Sequence, residues 1–531
     1  MMGQKHFTPK LFHTLSLDMM VPEGHLLRRL EALVDLSFVR ELCAPYYSHT
    51  GQPSVDPVVL FKMMLLGYLY GITSERRLAE ECSLHLAFRW YLGYDLDEPT
   101  PDHSVLSKAR LRYGKAVFEA FFQRVLRLCV DAGLVGGEKI FADSTLITAN
   151  ASIKSLIPRE QLFQPVLSPE EHLKRVFDEN PVDKSNEQKG DSTSVTDPVS
   201  DGSDSTRPYT ENRSTVQKDA TSSIISSAHN PVVDNQATCY LKRGRRPKPR
   251  HVTNIFKVSR TDPDASIITR PGSGTLLAYK GHLTVDSRYR VITAVEVTSG
   301  ACEDYLQVSK LLDLQPVKPQ EFCADSHYGV QDVYAELRSR GILPVIPRRS
   351  VQARKPKLGR LAPSDFQYIP EGDFFVCPQG RKLKRVAYDK RWHRYHYRPK
   401  PEDCRGCPQR LACSTPKTLR TIIRYAEQEA IDWALSYYKT ASAQRTLSQR
   451  SSVVEWVFAE AKCFHGLRRA IYRGLDKVKI QALLIATVQN LKRLIKIIGP
   501  QLITPLSKIK QIFNTCIFKV DLCLNLLRQQ A

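Results

Sequence analysis

Residues 321–330 read EFCADSHYGV, and this stretch limits the folds open to the chain more than any other. Phe322, Cys323 and Ala324 have the continuous apolar character of the end of a buried strand. Asp325 follows at once, ahead of Gly329 and a helical pattern from Val330 to Arg340. A carboxylate is thereby held at a strand's carboxyl end, the edge of an open α/β sheet where ligands collect. The same grammar occurs where Lys139, Ile140, Phe141 and Ala142 lead into Asp143. The two aspartates are far apart in sequence, so they meet only if their strands are neighbours in one sheet.

The segments around them supply such a sheet. Ala278 to Asp286 and Tyr289 to Thr298 predict two strands joined by a two-residue connection at Ser287 and Arg288, hence an antiparallel hairpin. Glu303 to Leu314 reads as a helix, and ILPVIP, after the helix that ends at Arg340, as a short strand. The order strand, insertion, hairpin, helix, strand, helix, strand is that of an α/β fold with an RNase H-like mixed sheet flanked by helices.

Residues 1–135 predict an all-α N-terminal domain. Leu26, Leu27, Leu30, Leu33 and Val34 recur at helical spacing, and Asp56 caps a helix that has Pro57 at its first position. Ser74 opens SERRLAEEC, and Asp102 opens a short helix carrying Lys108, Arg110 and Arg112 and ended by Gly114. Two short basic helices are compatible with helix-turn-helix-like docking on DNA; an ordinary solvated charged face is the plainer reading.

A length of 531 residues suits two or more domains, and 77 Lys and Arg against 55 Asp and Glu give a formal charge of +22. That excess concentrates polyanions at the surface, which makes nucleic acid the first partner to consider. The opening MMGQKHFTPK has no apolar signal region, and the apolar block Pro57 to Tyr70 carries Lys62 and is too short to cross a bilayer. A cytoplasmic, nucleoid-associated protein without a membrane partner is expected. Most of the 13 cysteines sit in apolar contexts, which suits reduced core thiols better than disulfides.

Two segments interrupt the pattern. Between Pro181 and Tyr240, 18 of 60 residues are Ser or Thr and no hydrophobic period survives, which predicts a flexible low-complexity insertion over residues 155–255. It ends in LKRGRRPKPR, where Arg243, Arg245 and Arg246 suit phosphates or a minor groove; a solvated tail is the alternative. Residues 348–425 form a second insertion. From Arg381 to Lys400, nine Lys or Arg interleave with Trp392, Tyr395 and Tyr397, so Arg391 and Trp392 are candidates for gripping distorted or single-stranded DNA. Cys377, Cys404, Cys407 and Cys413 within it offer four soft sulfur ligands, a candidate structural zinc site.

Residues 426–500 return to helices of the core, and 501–531 follow as a helical tail. Val454, Val457, Phe458 and Ala461 form an apolar stripe, while Glu455 and Lys462, seven residues apart, share another face. Asp286, Asp304 and Glu460 are further acids that could support a site; Glu460, five residues past Glu455, is turned about 140° from it on a regular helix. Three carboxylates gathered in an interior repel one another unless protons or a cation neutralise them. Hard oxygen donors suit magnesium or manganese, and a pair of such ions serves phosphodiester chemistry.

With these motifs the chain resembles the DDE transposases of bacterial insertion sequences, in the branch with a helical N-terminal domain and a cysteine-containing insertion before the last acidic helix. The resemblance spans nearly the whole chain outside residues 155–255. Asp143 in FADST resembles the first aspartate of the family, Asp325 in ADSHYG the second, and Glu455 the glutamate of the terminal signature. Tyr438, Arg450, Glu455 and Lys462 resemble that signature's tyrosine, arginine, glutamate and lysine; the arginine stands five residues before Glu455, one more than the common spacing. The resemblance implies an RNase H-like core assembled from residues 136–154, 256–347 and 426–500. It also implies two Mg2+ or Mn2+ ions on Asp143, Asp325 and Glu455, and contact of Lys462 with a phosphate near the scissile bond. Binding to terminal inverted repeats, cleavage, transfer of a 3′-hydroxyl into target DNA and a homodimeric or larger synaptic complex follow from it too. The residues by themselves leave open a nuclease of the same fold that does not join DNA, and an inactive DNA-binding relic or regulator.

Overall fold

The computed structural model describes residues 16–48, 50–163, 254–270, 274–349, 361–414 and 418–502. The basic run with Arg243, Arg245 and Arg246, most of the expected flexible insertion and the tail from residue 503 lie outside the described residues.

The N-terminal third is helical: α1 (Leu17–Met20), α2 (Leu26–Leu33), α3 (Phe38–Cys43), α4 (Pro57–Leu69), α5 (Glu75–Leu84), α6 (Leu86–Leu92) and α7 (Ser104–Asp131). Asp56 caps α4 by accepting the Val58 N–H at 2.9 Å, and Ser74 caps α5 through the Arg77 N–H. The expectation of a short helix closed by Gly114 is corrected. Gly114 does break the helix, at φ 62 and ψ −176, but α7 resumes at once because Val117, Phe118, Phe121, Phe122 and Val125 bury a continuous apolar face.

The central sheet is mixed. Its strands are β1 (Lys139–Thr148), β4 (Ser266–Arg270), β5 (Gly274–Asp286), β6 (Ile292–Ser299), β7 (Glu321–Cys323) and β8 (Leu343–Val345), while β2 (Leu156–Pro158) and β3 (Lys257–Ser259) form a separate ribbon from the two ends of the first insertion. The order is β4, β5, β1, β7, β8, with β6 also paired to β5. β1, β7 and β8 run parallel, and β5 is antiparallel to β1. Between β6 and β7 lie a 3-10 turn at Asp304–Gln307 and α8 (Val308–Asp313); α9 (Gln331–Ser339) precedes β8. The expected two-residue hairpin connection is a longer loop. Arg290 adopts φ 58 in it, and the Asp286 carboxylate accepts N–H groups of Gly136, Gly137 and Arg288 at 3.2, 3.0 and 2.9 Å. Asp286 is thereby occupied in holding this turn.

The second insertion builds its own antiparallel sheet, β9 (Gln367–Ile369), β10 (Phe374–Val376), β11 (Lys382–Asp389), β12 (Arg394–Pro399) and β13 (Ile422–Tyr425), over a small core of Phe366, Phe375, Leu383, Tyr397 and Ile422. A single turn, α10 (Arg410–Cys413), lies between β12 and β13. The chain then returns through α11 (Gln428–Tyr438), α12 (Ala441–Arg450), a π-turn at Ser451–Glu455, α13 (Trp456–Phe464) and α14 (Leu475–Leu502).

Alternation along the strands divides the sheet between two cores. Ile140, Ala142, Phe322 and Ala324 face Val333, Tyr334, Leu337 and Ile431 of α9 and α11. Phe141, Ile147 and Cys323 face the other way, into a core that also holds Val454 and Val457, the apolar side of α14 and the buried residues of α2 to α7. α14 packs on α2, α4, α7 and β6, so the helical region and the sheet are built on one shared core. Among the described residues no helix is long and apolar enough to cross a membrane.

Candidate active site

β1 and β7 pair in parallel with Phe141 opposite Cys323. Two residues further along each segment stand Asp143 and Asp325, so both acids stand just past the paired stretch of two neighbouring strands about 5 Å apart. Both follow residues of the same sheet face. Asp143 is nevertheless not at the end of its own strand, as its sequence context predicted: β1 runs on to Thr148 against β5, with Asp143 opposite Leu283. What ends beside Asp143 is its parallel neighbour, and β7 stops because Asp325 turns the chain. One Asp325 carboxylate oxygen accepts the His327 N–H at 2.9 Å, and the other lies 2.9 Å from His327 Nδ1, which caps the 3-10 turn Ser326–Tyr328.

The Asp143 carboxyl is pushed up to about 6. Burial is the main cause; the Arg450 guanidinium, 2.7 Å from Oδ2, and the Ser144 N–H pull it down, while the charges of Asp325 and Asp304 push it up. Asp304 is thus the one acid among the rivals whose charge bears on Asp143. Its carboxylate is held by Lys280 at 3.1 Å and lies 3.6 Å from His282 Nδ1; burial lowers that imidazole to about 4, which keeps it neutral. Tyr328 is wholly buried at the same place with no hydrogen-bond partner for its hydroxyl. Burial first, then the charges of Asp304, Asp143 and Asp325, hold its phenol well above its usual range.

The helices lie across this strand edge by way of Glu321, the first residue of β7. Thr446 donates to one Glu321 carboxylate oxygen at 2.7 Å, and the Tyr437 hydroxyl donates to the other. One turn past Thr446, Arg450 reaches Asp143. Glu455 follows at the end of the π-turn with its side chain exposed, and Val453 and Val454 bury into the core beneath. Lys462 lies on α13 and Tyr438, half-buried, closes α11. Glu460 is committed to structure: Lys492 at 2.6 Å, Arg493 at 3.1 Å and His465 at 3.5 Å surround it.

Among the expected DNA contacts, Lys108 and Arg112 are exposed, with Arg112 over the Tyr47 ring. Arg110 is a correction. It is buried, paired with Glu75 and stacked 4.3 Å over Tyr472, so it ties α7 to α5 and to the loop before α14 and presents nothing to a ligand. Arg391 covers the half-exposed Trp392 at 5.0 Å in the β11–β12 turn.

Among the described residues no group of three or more His, Cys, Asp or Glu side chains stands in metal-holding geometry. The donor chemistry at the strand edge is that of a hard cation: paired carboxylates whose mutual repulsion a divalent ion would relieve. In the second insertion, Cys377, Cys404, Cys407 and Cys413 lie within one another's field; burial raises the Cys404 and Cys413 thiols, and the neighbouring cysteines add to it. Cys377 Sγ accepts the Arg381 N–H at 3.3 Å, and Gly380 and Gly406 take φ 72 and 74 in the turns beside these thiols.

Two family models match the chain. Residues 15–112 match a transposase domain (DUF772), which covers most of the helical region. Residues 376–495 match a transposase DDE domain, which runs from the second insertion through α12, the π-turn and most of α14. The two matches together support a DDE transposase, and transposases act on DNA. No curated protein and no solved structure matches it.

Proposed function

We propose that the chain is an active transposase with an RNase H-like core. In this reading it binds the terminal inverted repeats of its element, cleaves phosphodiester bonds there and transfers the 3′-hydroxyl ends into target DNA as a dimer or larger synaptic complex. The observation that carries it is that Asp143 and Asp325 each stand two residues past the paired Phe141 and Cys323 of β1 and β7, close enough for the charge of Asp325 to bear on the buried Asp143 carboxyl.

Asp143, Asp325 and Glu455 would hold two magnesium or manganese ions, which when bound supply Lewis-acid activation of a water or sugar hydroxyl and stabilise the leaving oxygen. The chain's own residues do the positioning. Arg450 pairs with Asp143 at 2.7 Å, and its planar fork also suits a backbone phosphate. Lys462, two turns beyond Glu455 on the same helical face, reaches toward the strand being cut. Tyr438, at the end of α11, would join the same DNA-binding surface. Residues 1–135 serve as the end-binding domain through Lys108 and Arg112, and Arg391 with Trp392 offers a cation and a ring to unpaired bases. The four thiols of the second insertion would hold a structural zinc ion.

The test is magnesium-dependent cleavage and joining of inverted-repeat ends, with target DNA supplied. Joint molecules support a transposase, and cleavage alone supports a nuclease of the same fold. Binding without cleavage supports an inactive relic or regulator. Activity that survives Asp143→Asn or Glu455→Gln removes the site.

A further inference from the structure

The helix that carries Arg450 and Glu455 is not regular: between them it opens into a π-turn at Ser451–Glu455. Upstream, the face of α12 that meets the sheet is marked by Thr446, bonded to Glu321, and by Arg450, bonded to Asp143, four residues on. Continued as an α-helix, that face would next present Val454, and Glu455 would be turned about 140° away from Arg450. A turn closed by i to i+5 hydrogen bonds instead stacks residues five apart. Such a turn takes up one extra residue between Arg450 and Glu455 while both flanks stay helical and Val453 and Val454 stay buried. Downstream the apolar period is intact: Val457, Phe458 and Ala461 remain buried, as Ala443 and Thr446 do upstream.

We infer that the π-turn is a phase-setting device, a one-residue expansion that brings Glu455 onto the Asp143 side of the helix in spite of its five-residue spacing from Arg450. The inference rests on the proposed active site and deepens it. Glu455 would be the site residue, and Ser451 and Ser452 positioning residues that act only through the length of the turn. Both serines are exposed, so either can be lost without opening the core.

The experiment removes the extra residue from the full-length chain. Deletion of Ser452 leaves Arg450 and Glu455 four apart, which in a regular α-helix is again one face. The expected result is retained thermal stability, Mn2+ binding within about threefold of the parent by electron paramagnetic resonance, and cleavage within about tenfold. Deletion of Ser451 should give the same result and covers the case in which one deletion folds poorly. A third variant, with one alanine inserted after Ser452, moves Glu455 out of phase and should lose both Mn2+ binding and cleavage by more than about a hundredfold. If both deletions fold but lose Mn2+ binding, or if both fail to fold, the π-turn is needed for itself and the inference falls. If the insertion variant stays active, phase does not matter and the inference falls as well. Glu455→Gln, run in parallel, keeps the two ideas separate. Should it remain active in the parent chain, the proposed site has failed, whatever the deletions show.

Discussion

The Arg450 guanidinium lies 2.7 Å from the Asp143 carboxylate, one helical turn beyond the Thr446 bond to Glu321. Two strands and one helix are thus joined through polar groups at the edge where the two aspartates meet, and the first predictions concern this joint.

Replacement of Arg450 by alanine takes away the largest influence that lowers the Asp143 carboxyl, so its midpoint should climb above about 6. Carbon NMR of the aspartate carboxyls would read that rise directly. The cleavage profile should move to higher pH, with a rate loss of about 10- to 100-fold near neutrality. An unchanged midpoint would mean that the pair does not persist in solution.

Asp143 also sets the pH dependence of stability in the absence of divalent ions. Its folded carboxyl, near 6, lies above the ordinary value of 3.8, so the folded state holds the proton more tightly than the unfolded one. The stabilisation is present below about pH 4 and is lost as the pH rises through about 6, amounting to at most about 3 kcal/mol. Asp143→Asn should flatten the unfolding free energy across this window, as measured by urea titration; a curve as steep as the parent's would count against the assignment.

Glu321 is nearly buried and accepts from two hydroxyls, those of Tyr437 and Thr446. Glu321→Ala strands both donors and should cost about 2–4 kcal/mol of stability, with a parallel loss of cleavage as α12 and Arg450 drift. Glu321→Gln keeps an acceptor and should cost clearly less.

Asp304→Asn removes a like charge from the neighbourhood of Asp143 and should lower that carboxyl's midpoint, while it leaves Lys280 without its carboxylate partner. The expected outcome is a stability loss of about 1–2 kcal/mol with cleavage reduced but present. Complete loss of metal binding in this variant would instead promote Asp304 to a ligand.

Metal analysis of the purified full-length protein tests the thiols. One zinc per chain, lost in Cys404→Ser, is expected; zinc below about a tenth per chain, with the second insertion still folded, would remove the proposed ion.

Asp325 was legible as a strand end because an apolar run that stops at an acid is a local signal, and so were the caps at Asp56 and Ser74; the same signal misplaced Asp143, whose strand runs on to Thr148. Arg110 was not, because its charge announces solvent or DNA while its partner Glu75 and the Tyr472 ring come from other parts of the chain. Asp304 could be named but not ranked, since only the sheet brings it into the field of Asp143. The π-turn escapes any reading that assumes 3.6 residues per turn, although the unusual five-residue step from Arg450 to Glu455 was its trace. The hairpin loop was misjudged because Arg290 takes a left-handed conformation that residue type does not announce.

α14 carries a further consequence. It is a spine clad on one flank by the N-terminal helices and on another by β6, and His465, at the end of α13, bonds the Tyr68 carbonyl at 2.6 Å. A cut after Leu134 would strip that spine bare and leave both fragments sticky. Among the described residues the first third and the sheet share that core, so engineers should treat the two halves as a single casting.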